Sequence, residues 1–136
     1  MPSSLRFLAA LILLSIGTAV AAGAILYLQA RSRTQASAEA ITGGRVDAGK
    51  DAIARYGCGS CHEIPGIAGA NGKVGPALGG IATRVEIAGM RTNDPADMVL
   101  WLRHPQAVLP GNGMPAQGVT EGDARDIAAY LYTLKR

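Results

Sequence analysis

Residues 7–28 run 22 positions without a charge, interrupted only by Ser15, Gly17, Thr18 and Gly23. As a helix this stretch covers about 33 Å, enough for a bilayer's hydrocarbon core. Beyond it the apolar positions fall into shorter helical periods. Val46, Gly49, Ile53 and Tyr56 follow one helix face, and Gly49 would admit close approach by a second helix. Asp94 followed by Pro95 predicts a helix start, with Met98, Trp101 and Leu102 at i, i+3, i+4 and an end at His104, before Pro105. Thr120 with Asp123 predicts another start, leading to a stripe of Ile127, Tyr130, Leu131 and Leu134. No alternating strand pattern or internal repeat appears.

Composition changes this picture in two ways. The chain has 136 residues and is 49% apolar, and 21 of the first 30 residues are apolar, so the excess belongs to the N-terminal segment. The remainder is one small domain, too small for two cores. It holds only four aromatics, Tyr56, Trp101, Tyr130 and Tyr132, and nine glycines between positions 57 and 89. A core this poor in large rings calls for another apolar body to fill it. Two cysteines three apart exclude a disulfide framework, and ordinary apolar content with a net charge of +3 argues against disorder.

The apolar segment reads as an uncleaved transmembrane anchor over residues 1–28. Phe7 and Tyr27 lie at its interfaces, and the apolar run continues past Ala19-Val20-Ala21, the small-residue cleavage site of the competing signal-peptide reading. Residues 29–45 are expected to be a flexible linker with a reach of roughly 23 Å, and residues 46–136 the folded domain. Arg31 and Arg33 outnumber Arg6, which taken alone would leave that domain in the cytoplasm.

The chemistry concentrates in Cys58-Gly59-Ser60-Cys61-His62. C-x-x-C-H is the attachment pattern of c-type haem: one helical turn sets two sulfurs along a porphyrin edge for thioether bonds to its vinyl groups, with the histidine beneath the iron. A thioredoxin-like pair would want a βαβ pattern, zinc would want four ligands, and a disulfide over so short a loop would stabilise little. Met90, Met98, Met114 and His104 compete for the sixth iron position. Met98 sits on the core face of its helix, His104 at a helix end before proline, and Met90 in a polar stretch. Met114 lies in Leu109-Pro110-Gly111-Asn112-Gly113-Met114-Pro115, a tight loop able to bring a side chain to a porphyrin face. Together the elements predict an all-α fold wrapped on one cofactor.

From position 46 onward the chain resembles the class I cytochrome c family. Gly49 and Tyr130 resemble the contact of its terminal helices, and Gly75-Pro76-Ala77-Leu78 the segment whose proline carbonyl accepts a hydrogen bond from the ligand histidine. Arg84 matches an arginine that contacts a haem propionate, and Trp101 through Leu102, Pro105, Leu109, Pro110 and Gly111 to Met114 is similar to the methionine loop. Trp101 replaces the tyrosine of mitochondrial-type members, and the lysines around the haem edge are missing: Gln106, Ala107 and Gly113 stand in the loop. The resemblance implies one covalent haem c on Cys58 and Cys61, axial ligands His62 and Met114, and Pro76, Arg84 and Trp101 as further haem contacts.

It also implies a one-electron carrier rather than an enzyme, with no nucleic-acid partner and no small-molecule substrate. Its expected partners are the membrane and redox complexes, a quinol-oxidising cytochrome complex and a terminal haem-copper oxidase. Its expected place is the bacterial inner membrane, single pass, with the domain on the periplasmic side where haem is attached. The alternatives are a fixed electron-entry subunit of a larger complex and, less favoured, a haem gas sensor.

Overall fold

The computed structural model describes residues 2–135, which divide into two compact units, Met1–Thr34 and Gln35–Arg136. From Ser3 onward the first unit is part of helix α1, Ser3–Thr42. Every described side chain before Thr34 is exposed, including Phe7, Leu13, Ile16, Val20 and Leu26. A helix apolar on all sides belongs in an apolar surrounding. Among the described residues α1 is the one helix long and apolar enough to cross a membrane.

The expected linker is corrected. Residues 29–42 continue α1, because Ala30, Gln35, Ala36, Ala38, Glu39 and Ala40 are strong helix formers and no glycine intervenes before Gly43. Gly43, at φ 67°, ends the helix by donating its N–H to the Glu39 carbonyl at 2.9 Å. Within the second unit Ala38 and Thr42 are buried, and the Glu39 carboxylate accepts the Val46 N–H at 2.9 Å.

The rest of the second unit carries α2, Val46–Arg55, α3, Pro95–Arg103, α4, Pro105–Val108, and α5, Glu121–Leu131. The α2–α5 contact is the most extensive between elements. It is close because α2 presents Gly49 and Ala52, and α5 presents Ala124 and Ala128. A Cβ at Gly49 would overlap the Asp126 carbonyl. Thus the expected meeting of Gly49 with the C-terminal helix falls at Asp126 and Ile127, while Tyr130, a turn later, donates its hydroxyl to the Pro65 carbonyl at 2.6 Å. The Thr120 hydroxyl caps α5 by accepting the Asp123 N–H. The Asp123 carboxylate in turn accepts from Tyr56 at 2.7 Å and Arg55 at 2.6 Å. The Tyr56 hydroxyl foremost, then Thr120, holds that carboxyl below its ordinary range.

Asp94 caps α3 and Pro95 opens it, as its sequence predicts. A two-stranded ribbon too short to show alternation, β1 Glu86–Ile87 against β2 Arg91–Thr92, precedes it. Its three-residue turn, 88–90, places Ala88 and Gly89 at φ 54° and 70°.

Candidate functional site

Helices α2, α3 and α5 form the floor of a cavity of ≈ 510 Å³, within the ~300–1,000 Å³ typical of ligand and cofactor sites. Ile53, Leu102, Ile127 and Leu131 make its lining apolar. All seven residues singled out from the sequence, Cys58, Cys61, His62, Pro76, Arg84, Trp101 and Met114, border this one cavity. So does Met98, 1% exposed within the core. Neither Met90 nor His104 borders it.

The cysteines and histidine stand on a single turn. Gly57, at φ 69°, opens the 3-10 segment Cys58–Ser60, and the Cys58 carbonyl accepts from the N–H groups of Cys61 at 3.2 Å and His62 at 3.0 Å. Both thiols are free. Burial pushes the Cys58 thiol up; its own backbone opposes the rise and Cys61 adds to it.

His62 is fixed from two sides. Its Nδ1 lies 2.7 Å from the Pro76 carbonyl. A carbonyl only accepts, so Nδ1 is the donor, which in the neutral ring leaves the lone pair on Nε2. Gly75 packs against the Nδ1–Cε1–Nε2 edge of the ring: a Cβ there would come within 2.7 Å of Nδ1 and closer still to Cε1. The Gly75 N–H bonds the Cys61 carbonyl at 2.8 Å, and the Leu78 N–H bonds the Glu63 carbonyl at 2.8 Å, so the 72–78 segment is laced to the cysteine turn. Arg84 braces its far end, one guanidinium nitrogen reaching the Ala77 carbonyl at 2.6 Å and the Gly79 carbonyl at 3.1 Å.

Three residues that shape the site gave no functional signal in the sequence. Asn93 donates to the carbonyls of Ile81 and Arg84, both at 2.8 Å, and accepts from the Tyr132 hydroxyl at 3.0 Å. Burial foremost, then Asp94 and Asp97, pushes that hydroxyl up to about 12. Gln106 and Asn112 bond the backbone of the Met114 loop. Amide side chains carry no periodicity, so only a capping or turn pattern could have flagged them. Asn112, between two glycines, sits in such a turn pattern.

A histidine, a thioether and two thiols around an apolar cavity, with Gly75 too close to the His62 ring to admit a side chain, make a donor set and a cradle that fit an iron porphyrin. The Cytochrome c family model matches residues 46–135. The chain belongs to the cytochrome c family. The cytochrome is 34% identical over 88 residues to cytochrome c oxidase subunit 2 of Alkalihalophilus pseudofirmus, a match covering 64% of this chain and 25% of that protein. It is 34% identical over 91 residues to cytochrome c2 iso-2 of Magnetospirillum molischianum, covering 57% of this chain and 91% of that protein. The chain thus spans about a quarter of the oxidase subunit and most of the cytochrome c2. No solved structure matches significantly. Membership makes this an electron-transfer protein and implies covalently bound haem c.

Proposed function

We propose that this cytochrome is a membrane-anchored carrier of single electrons, with one haem c in thioether linkage to Cys58 and Cys61 and its iron held by His62 and Met114. The observation that carries this reading is the shared cavity: both thiols, the Pro76-anchored His62 and Met114 border one apolar space. Met114 is preferred to Met98 because Met98 is packed into the core on α3, whereas Met114 is half-buried on a loop built to present it. Haem c, when bound, supplies an iron that takes up one electron and returns it. The chain's part would be to offer Nε2 of His62 and the soft sulfur of Met114 to the iron and to exclude water with Ile53, Leu102, Ile127 and Leu131. Thioether ligation raises the reduction potential. Arg84 offers positive charge for a propionate, and Trp101 a packing face.

With residues 1–28 as the anchor, the domain belongs at the periplasmic face of a bacterial inner membrane, where haem is attached. There it would take electrons from a quinol-oxidising cytochrome complex and pass them to a terminal haem-copper oxidase. From Gly43 onward ten Lys and Arg face nine Asp and Glu, so charge steering is weak and the tether supplies encounter frequency. The second reading is a fixed electron-entry subunit, favoured by the match to an oxidase subunit.

The test is a reduced-minus-oxidised spectrum of the membrane fraction with potentiometry, followed by mild detergent extraction. A c-type spectrum with a positive potential, from a protein that extracts alone, supports the carrier. Stoichiometric co-purification with an oxidase would transfer the assignment to the second reading, and a spectrum without c-type haem would sink both.

A further inference from the structure

The Met114 loop has no regular backbone pairing and little steric support. Residues 109–117 lie outside every helix and strand, Gly111 has φ 79°, and a Cβ at Gly111 or Gly113 would meet nothing within 4 Å. Two side-chain amides supply what the backbone lacks. Gln106, on α4, donates through Nε2 to the carbonyls of Asn112 at 2.9 Å and Met114 at 2.8 Å, and accepts the Gly111 N–H at 3.2 Å. Asn112 donates through Nδ2 to the carbonyls of Pro105 at 2.9 Å and Leu109 at 2.6 Å, and accepts the Met114 N–H at 2.7 Å. Each amide's orientation is set by its partners, since carbonyls only accept and backbone N–H groups only donate. The Met114 backbone is therefore gripped at both ends, its N–H by Asn112 and its carbonyl by Gln106. Asn112 is itself gripped by Gln106.

We infer that Gln106 and Asn112 are positioning residues that form an interlocked amide clamp on Met114 and set how often its sulfur leaves the cofactor. The inference rests on Met114 being the axial ligand. A methionine sulfur on a backbone free to pivot about Gly111 and Gly113 would exchange readily with outside ligands. One whose own N–H and carbonyl are both tied must break several bonds together before it moves.

The test is imidazole binding to the full-chain ferric holoprotein, followed by stopped flow, together with the sulfur-to-iron charge-transfer absorption and the reduction potential. Gln106→Leu should speed imidazole entry on the order of tenfold or more, since three hydrogen bonds are lost together. It should also weaken the charge-transfer band and lower the potential. Gln106→Glu, nearly the same shape, should open faster still: it keeps an acceptor for Gly111 but turns a carboxylate oxygen toward two carbonyls. Unchanged rate, band and potential in both variants would overturn the clamp, provided Met114→Ala binds imidazole at once and loses the band. If Met114→Ala leaves spectrum and binding as they were, the ligand assignment fails and the clamp with it. If neither variant yields holoprotein, hydrogen exchange in the native cytochrome decides: protected Gly111 and Met114 amides support the clamp, and unprotected ones refute it.

Discussion

At Gly59, Gly72 and Gly75, on the wall carrying Cys58, Cys61 and His62, an added Cβ would run into Ala70, the Ser60 carbonyl and the His62 ring. At Gly111 and Gly113, on the wall carrying Met114, it would meet nothing within 4 Å. Glycine serves opposite ends on the two sides. On the first it lets backbone lie directly on backbone and ring, so that steric exclusion holds the histidine. On the second it lets the chain turn, and side-chain amides provide the restraint. His62 is held by what cannot fit, Met114 by what is bonded.

The largest effect should come from removing what joins the two walls. A Cys58→Ala, Cys61→Ala apoprotein should show no cooperative thermal transition, because four aromatics and a Gly-rich chain cannot fill the cavity themselves. A sharp transition followed by circular dichroism would mean that the α2–α5 contact suffices alone. Next, Gly75→Ala should destabilise the holoprotein by about 3 kcal/mol through overpacking, while Gly113→Ala should stay within about 1 kcal/mol. Equal shifts in denaturant midpoint would erase the contrast between the walls.

The smallest effect concerns Tyr132, which anchors Asn93 below the cavity by hydrogen bonding, as the Met114 loop is anchored. Its folded hydroxyl titrates at about 12 against an ordinary 10.0, so the native state binds more protons between those values. The stability this gives is complete below pH 10 and is lost as pH rises toward about 12. Tyr132→Phe should cost about 1 kcal/mol at neutral pH and flatten that alkaline decline. Parallel melting curves for the two proteins across this range would contradict it.

Much of the sterically held wall was legible in the sequence: the C-x-x-C-H turn is a local cue, and Gly75-Pro76-Ala77-Leu78 stood out by its resemblance to the family's segment. The caps at Asp94 and Thr120 were legible as local cues too, each being set within three residues. The bonded wall was half legible. Met114 stood out through its Pro and Gly neighbours, but Gln106 and Asn112 act through partners that only a folded loop assembles. Asn93 was hidden likewise, since its partners lie 12, 9 and 39 positions away. Residues 29–42 read as linker because scattered charge and serine masked good helix propensity, and because the burial of Ala38 and Thr42 is tertiary.

The pairing of α2 with α5 brings together the two ends of the stretch that the family model matches. A segment whose ends are neighbours is portable. It can be spliced into a longer polypeptide, or joined to a different leader, with little disturbance at the seam. The matching 88 residues make up a quarter of the oxidase subunit, whereas the cytochrome c2 is almost nothing else. In this chain the module follows an apolar helix, Ser3–Thr42, so one fold can be joined to different neighbours along the polypeptide.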